Sequence, residues 1–106
     1  MDTPTRQTVL QTAIDVTTGD RNDAYGDPVC MMSYIARLWQ AYFNGLLDIQ
    51  PSDVAHCMQL VKIARSDSEN PYRQDNYVDN AAYAGIAAEC RLHEERLQEE
   101  QGHDGN

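Results

Sequence analysis

Apolar residues along this chain return at intervals of three and four, and nowhere alternate with polar ones for long enough to argue a strand. The pattern predicts four helices. In the first, Val9, Leu10, Ala13 and Ile14 form a stripe, with Thr3 as cap, Pro4 in the first turn and Gly19 as the stop. A polar loop from Asp20 to Gly26 follows. Asp27-Pro28 opens the second helix with a capping carboxylate and a first-turn proline, and Asn44-Gly45 closes it. Between them Met31, Met32, Ile35, Leu38, Trp39, Tyr42 and Phe43 make it the most apolar element.

Pro51 opens the third helix, with Ser52 and Asp53 well placed in its first turn. Val54, Met58, Val61 and Ala64 are its expected buried stripe, with Leu60 on an adjoining face. Residues 66–71 read as a loop by composition. The fourth helix begins near Gln74 or Asp75, and Ala81, Ala82, Ala84, Gly85, Ala87 and Ala88 suit close approach of a neighbour. From Glu94 the pattern is wholly polar. The expected architecture is all-α: a compact, four-helix bundle-like single domain over residues 1–98, with an acidic, frayed tail at 99–106.

Composition narrows the setting. The longest apolar runs are a few residues, too short to span a membrane, and Met1-Asp2-Thr3-Pro4 lacks the layout of a secretion signal. The expectation is a cytoplasmic protein. Cys30, Cys57 and Cys90 include no metal-binding pair and are odd in number, so buried free thiols are expected rather than disulfides or zinc. A net charge of −9 disfavours binding to a nucleic-acid backbone. Residues 1–88 carry 6 basic and 11 acidic groups and residues 89–106 carry 2 and 6, so acidity is densest in the tail. Trp39 and its aromatic neighbours suit the core, and a homodimer contact is the second use for them.

Two short stretches stand out chemically. Lys62-Ile63-Ala64-Arg65 ends the third helix, and residues 75–83 open the fourth. Asp75, Asp79 and Tyr83 recur every four residues and so share one helical row, which Val78 and Ala82 place beside the buried stripe. Carboxylates beside a core are costly unless paired or bound to metal. One reading is structural: Lys62 or Arg65 neutralises Asp79, and Asp75 caps its helix. The other is a phosphate site, in which Asp75 and Asp79 hold a hydrated magnesium ion while Lys62 and Arg65 bind phosphate oxygens. Such an ion would activate water for attack on a phosphoanhydride.

The loop at Tyr25-Gly26-Asp27-Pro28 is a third patch. A turn and helix cap explain Gly26, Asp27 and Pro28, which leaves Arg21 and Tyr25 to contact or stack on a ligand. Asp53 complements its helix dipole, and His56 reads as a surface histidine.

The order of these pieces resembles a known family. Arg21 followed by Tyr25-Gly26-Asp27-Pro28, then Ile35-Ala36-x-Leu38-Trp39, Asp53-Val54-Ala55, Lys62-x-x-Arg65 and Asp75-Asn76-x-x-Asp79-x-x-x-Tyr83 looks like a group of short phage and prophage proteins of unknown function. The resemblance covers residues 19 to 90 and implies a viral protein acting in the bacterial cytoplasm. More distantly, the chain is similar to all-α nucleotide pyrophosphohydrolases of the MazG type, which hold magnesium through an ExxE and an ExxD on neighbouring helices. Asn76-x-x-Asp79 stands where the ExxD is expected, with Asn for Glu. No ExxE precedes it; Asp53 and His56 are the nearest candidates.

Two functions follow as expectations. The first is binding, with or without hydrolysis, of a nucleotide or other phosphorylated small molecule by Arg21, Tyr25, Lys62, Arg65, Asp75, Asn76, Asp79 and Tyr83. The second is an acidic interaction protein that blocks a host enzyme or defence complex.

Overall fold

The computed structural model describes residues 3–19 and 26–104, which form four helices: α1 (Thr5–Thr17), α2 (Pro28–Tyr42), α3 (Pro51–Arg65) and α4 (Gln74–Asp104). The described residues contain no strand, and the all-α expectation is borne out. Arg21 and Tyr25 lie outside the described residues.

Local chemistry sets the helix ends. Asp27 caps α2, accepting a hydrogen bond from the Val29 N–H at 3.0 Å, and Pro28 takes the first helical position. Gly26 precedes it at φ +86°, a conformation that only glycine adopts cheaply. Past Tyr42 the chain turns left-handed through Asn44 and Gly45, and the Gly45 N–H returns to the Gln40 carbonyl at 2.8 Å. In α3 the Asp53 carboxylate reaches back to the Gln50 N–H at 2.8 Å, so it caps the helix as well as complementing its dipole. Thr3 does not cap α1: Pro4 takes the cap position, where no side chain supplies a hydrogen bond.

α4 is the element on which the others pack. Its most extensive contact is with α3. The main core joins Met32 and Ala36 of α2, Val54 and Ala55 of α3, and Ala87 and Cys90 of α4, with Ile35, Trp39, Tyr83 and Ile86 packed around it. A smaller cluster joins Ala13 of α1 to Val78 and Ala82 of α4. The alanine-rich stretch therefore serves two neighbours: Ala82 faces α1 and Ala87 faces α2 and α3.

Three expectations need correction. Val61 and Ala64 are exposed, because α3 turns Val54, Ala55, Met58, Gln59 and Lys62 inward instead. Leu10 and Ile14 of α1 are also exposed, since Val9, Ala13 and Val16 make its contact with α4. Only Cys90 is a buried thiol; Cys30 and Cys57 face solvent. Trp39 does pack against the core as expected, but its aromatic neighbours Tyr34, Tyr42 and Phe43 are exposed.

Candidate functional site

Beside the apolar core, the interface of α3 with α4 carries a polar seam whose contacts run antiparallel. The Asn76 amide donates to the Arg65 carbonyl at 3.3 Å, Lys62 pairs with Asp79 at 3.0 Å, and the Gln59 amide donates to Asn80 at 3.2 Å. At the far end, Glu94 accepts hydrogen bonds from both the backbone N–H and the hydroxyl of Ser52. Among the described residues no buried side-chain polar atom lacks a partner. Polar residues are tolerated here because each one finds its complement.

The sequence candidates divide along this seam. Lys62 is the cation that neutralises Asp79; its side chain is 13% exposed, whereas that of Asp79 is 41% exposed. Arg65 turns the other way. With Arg73, Asn70, Pro71 and Asn76 it lines a polar hollow of about 360 Å³ at the start of α4. Neither arginine has a carboxylate partner among the described residues. The Arg65 carbonyl accepts from the Asn70 and Asn76 amides, which satisfies one of the free carbonyls at the end of α3. Asp75 is exposed in the first turn of α4, apart from the Lys62–Asp79 pair.

Asp79 and Tyr83 meet in a second place. They form one wall of a cleft of about 270 Å³ whose other walls are Val16 and Thr17 at the end of α1, and Gly26, Pro28, Met31 and Met32 at the start of α2. Ala82 and Ile86 complete the lining. The residue that closes the Tyr25-Gly26 step of the sequence pattern thus lies at the same cleft as Asp79 and Tyr83. A neighbouring cleft of about 330 Å³, lined by Leu10, Ile14, Gly85 and Glu89 among others, shares Thr17, Pro28, Ala82 and Ile86 with it.

Sequence reasoning missed Met31, Met32, Thr17 and Arg73 as lining residues, and Ser52 and Glu94 as buried polar partners. Among the described residues, no group of three or more His, Cys, Asp or Glu side chains is arranged to hold a metal ion. No helix is long and apolar enough to cross a membrane.

An all-α domain with a satisfied polar seam and a mixed polar and apolar cleft is the class of protein these features define. Residues 8–91 match the family described as a domain of unknown function (DUF6378), and the chain belongs to it. It is similar to the Gene 55 protein of Mycobacterium phage L5, with 44% identity over 87 residues, covering 82% of this chain and 54% of that protein. It is similar also to the Gene 55 protein of Mycobacterium phage D29, with 35% identity over 94 residues, covering 89% of this chain and 59% of that one. The chain spans a little over half the length of these curated relatives. No solved structure matches it. The expected likeness to phage proteins of unknown function is borne out.

Proposed function

We propose that this domain binds a phosphorylated small molecule with a flat ring, a nucleotide in the first instance. The observation that carries the reading is the line of groups along α4. Asp79 and Tyr83 edge a cleft floored by methionine and aliphatic side chains, and Arg65 and Arg73, which have no carboxylate partner among the described residues, stand beside Asn76 at the positive end of the same helix. From Asn76 to Tyr83 the helix rises about 10 Å. A ring held by Tyr83, Met31 and Met32 and an anionic group held by the arginines are compatible with that span. Arg21 and Tyr25 belong to the proposal as candidate ligand contacts from the 20–25 loop.

Binding is proposed without hydrolysis. Asp79 already shares an oxygen with Lys62, Asp75 stands in solvent, and among the described residues no third carboxylate joins them to complete a magnesium site of the MazG type. Calorimetric titration with nucleoside mono-, di- and triphosphates and cyclic dinucleotides, with and without magnesium, tests the reading. Saturable heat for at least one of them supports it. No heat for any of them removes it.

A second reading, an interaction protein that blocks a host enzyme, draws on the outer side of α3. Cys57, Leu60, Val61 and Ala64 follow helical spacing and are all exposed. Affinity capture from host lysate, compared with a Leu60→Asp variant, separates the two: loss of one specific host protein favours this reading.

A further inference from the structure

We infer that the domain pairs with a second copy of itself through the outer face of α2 and the turn that follows it. The first observation is area. A compact monomer of 12.0 kDa exposes about 6,000 Å². This chain exposes 8071 Å² and measures 59 × 29 × 25 Å. Its radius of gyration is 16.4 Å, where about 13 Å is usual for this length. The excess is large enough for each copy to contribute the roughly 800 Å² of a standard interface. The polar outer turns of the 31-residue α4 account for part of it.

That apolar surface is concentrated. Tyr34, Leu38 and Tyr42 recur at spacings of four along α2 and are all exposed, on the side away from Met32 and Ala36; Met31, which also lines the Asp79–Tyr83 cleft, is exposed at the edge of this stripe. The stripe runs on into Phe43, Leu46 and Leu47, with Tyr42 81% and Leu46 83% exposed.

Charge selects the same face. The chain has a net charge of −9 and 17 carboxylates, so two copies repel over most of their surfaces. Between Asp27 and Asp48, however, there is no acidic residue at all. The one charge in that stretch, Arg37, lies over the Tyr34 ring at 5.9 Å from its centre. A second copy meets less like charge here than at any comparable length of the chain.

Shape supplies the third argument. Leu38, Trp39, Tyr42 and Phe43 line an apolar groove, and Leu46 and Leu47 project from the turn that follows it. A groove with a knob close by is compatible with a two-fold contact, in which each copy would insert its knob into the groove of the other. The turn is held in shape by the Gly45 N–H to Gln40 carbonyl bond and by the Gln40 amide, which donates to the Ile49 carbonyl at 2.6 Å. The knobs are therefore ordered before association, which lowers its entropic cost.

Sedimentation velocity on the intact 106-residue chain, from low to high micromolar concentration, tests the proposal. The expected species has twice the 12.0 kDa chain mass. Leu46→Asp and Tyr42→Asp are each expected to weaken it by more than about tenfold, since either would place a charge in the apolar centre of the contact. Both side chains are solvent-exposed in the single chain, so helical circular dichroism should not change. Leu60→Asp on the outer side of α3 should leave the dimer intact. A chain that stays at 12.0 kDa throughout overturns the proposal, and so does a dimer that Leu46→Asp leaves unchanged.

Discussion

Glu94, near the outer half of α4, accepts two hydrogen bonds from Ser52 at the start of α3: one from the backbone N–H at 2.8 Å and one from the hydroxyl at 2.7 Å. Both residues are buried. The N–H concerned is in the first turn of α3, where it has no partner within its own helix, and the carboxylate meets the positive end of the helix dipole. Replacing Glu94 by Gln exchanges one acceptor for a donor, and is expected to cost about 1–3 kcal/mol. Ser52→Ala should cost less, and the double variant should cost less than the two single changes added together. Urea unfolding of the four proteins measures this. If Glu94→Gln unfolds at the same urea concentration as the parent, the contact does not secure the helix pair.

The Lys62–Asp79 pair should respond unequally to loss of either partner. Lys62 is largely enclosed, while Asp79 faces the cleft and retains access to water. Asp79→Asn leaves an enclosed ammonium without its counter-charge, and about 1–3 kcal/mol of stability is expected to go with it, less than for a fully buried pair. Lys62→Met leaves a carboxylate that water can solvate, and keeps the apolar stem. It should cost less. Thermal unfolding of both variants compares them, and the opposite order would show that Asp79 is the more strongly desolvated partner.

The same pair shows what sequence could and could not reveal. Asp27-Pro28, Asn44-Gly45 and Pro51 mark helix ends through local backbone chemistry, which the chain carries whatever surrounds it. The Asp75, Asp79 and Tyr83 row was legible from helical spacing alone, although only Asp79 and Tyr83 share the cleft. The inner face of α3 was legible only in part: Val54 and Met58 do turn inward, whereas Val61 and Ala64 do not. Its apolar residues wrap around more than half the helix, and the face that packs on α4 is the one with Gln59 and Lys62, whose partners lie on another element. Glu94 carried a signal that was available: with Tyr83, Ala87 and Cys90 it continues a single stripe at spacings of four, three and four. Its charge, followed by a polar run, made it look solvated.

If Arg65 and Arg73 receive the anionic end of a ligand, their removal should discriminate by charge. The Arg65→Ala, Arg73→Ala double variant is expected to weaken a bound nucleotide by more than about tenfold, equivalent to about 1.4 kcal/mol. It should leave the weaker binding of the corresponding nucleoside unchanged. Both side chains are exposed, so unfolding should shift little. Tyr83→Leu should weaken nucleotide and nucleoside alike. Calorimetry on the paired ligands reads both effects, and equal losses for nucleotide and nucleoside in the arginine variant would dismiss the phosphate assignment.

The three thiols should behave as two classes. Burial pushes the Cys90 thiol from its usual 9.0 up to about 11, and the negative charges of Glu94, Glu89 and Asp27 add to the shift. At neutral pH Cys90 is both enclosed and protonated, and the thiolate is the form that reacts. Iodoacetamide should therefore modify Cys30 and Cys57 in the folded chain, and Cys90 only after denaturation, as peptide mass mapping would show. The shift also sets an alkaline limit on stability. Below about pH 9 the thiol holds its proton in the folded and unfolded chains alike, and its contribution to stability is fully present. As pH rises from about 9 towards 11, the unfolded chain loses that proton first, so stability falls. Cys90→Ala should remove this part of the pH dependence at some cost in packing at every pH. Urea midpoints that fall equally steeply over that range in parent and variant would place the alkaline sensitivity in other groups.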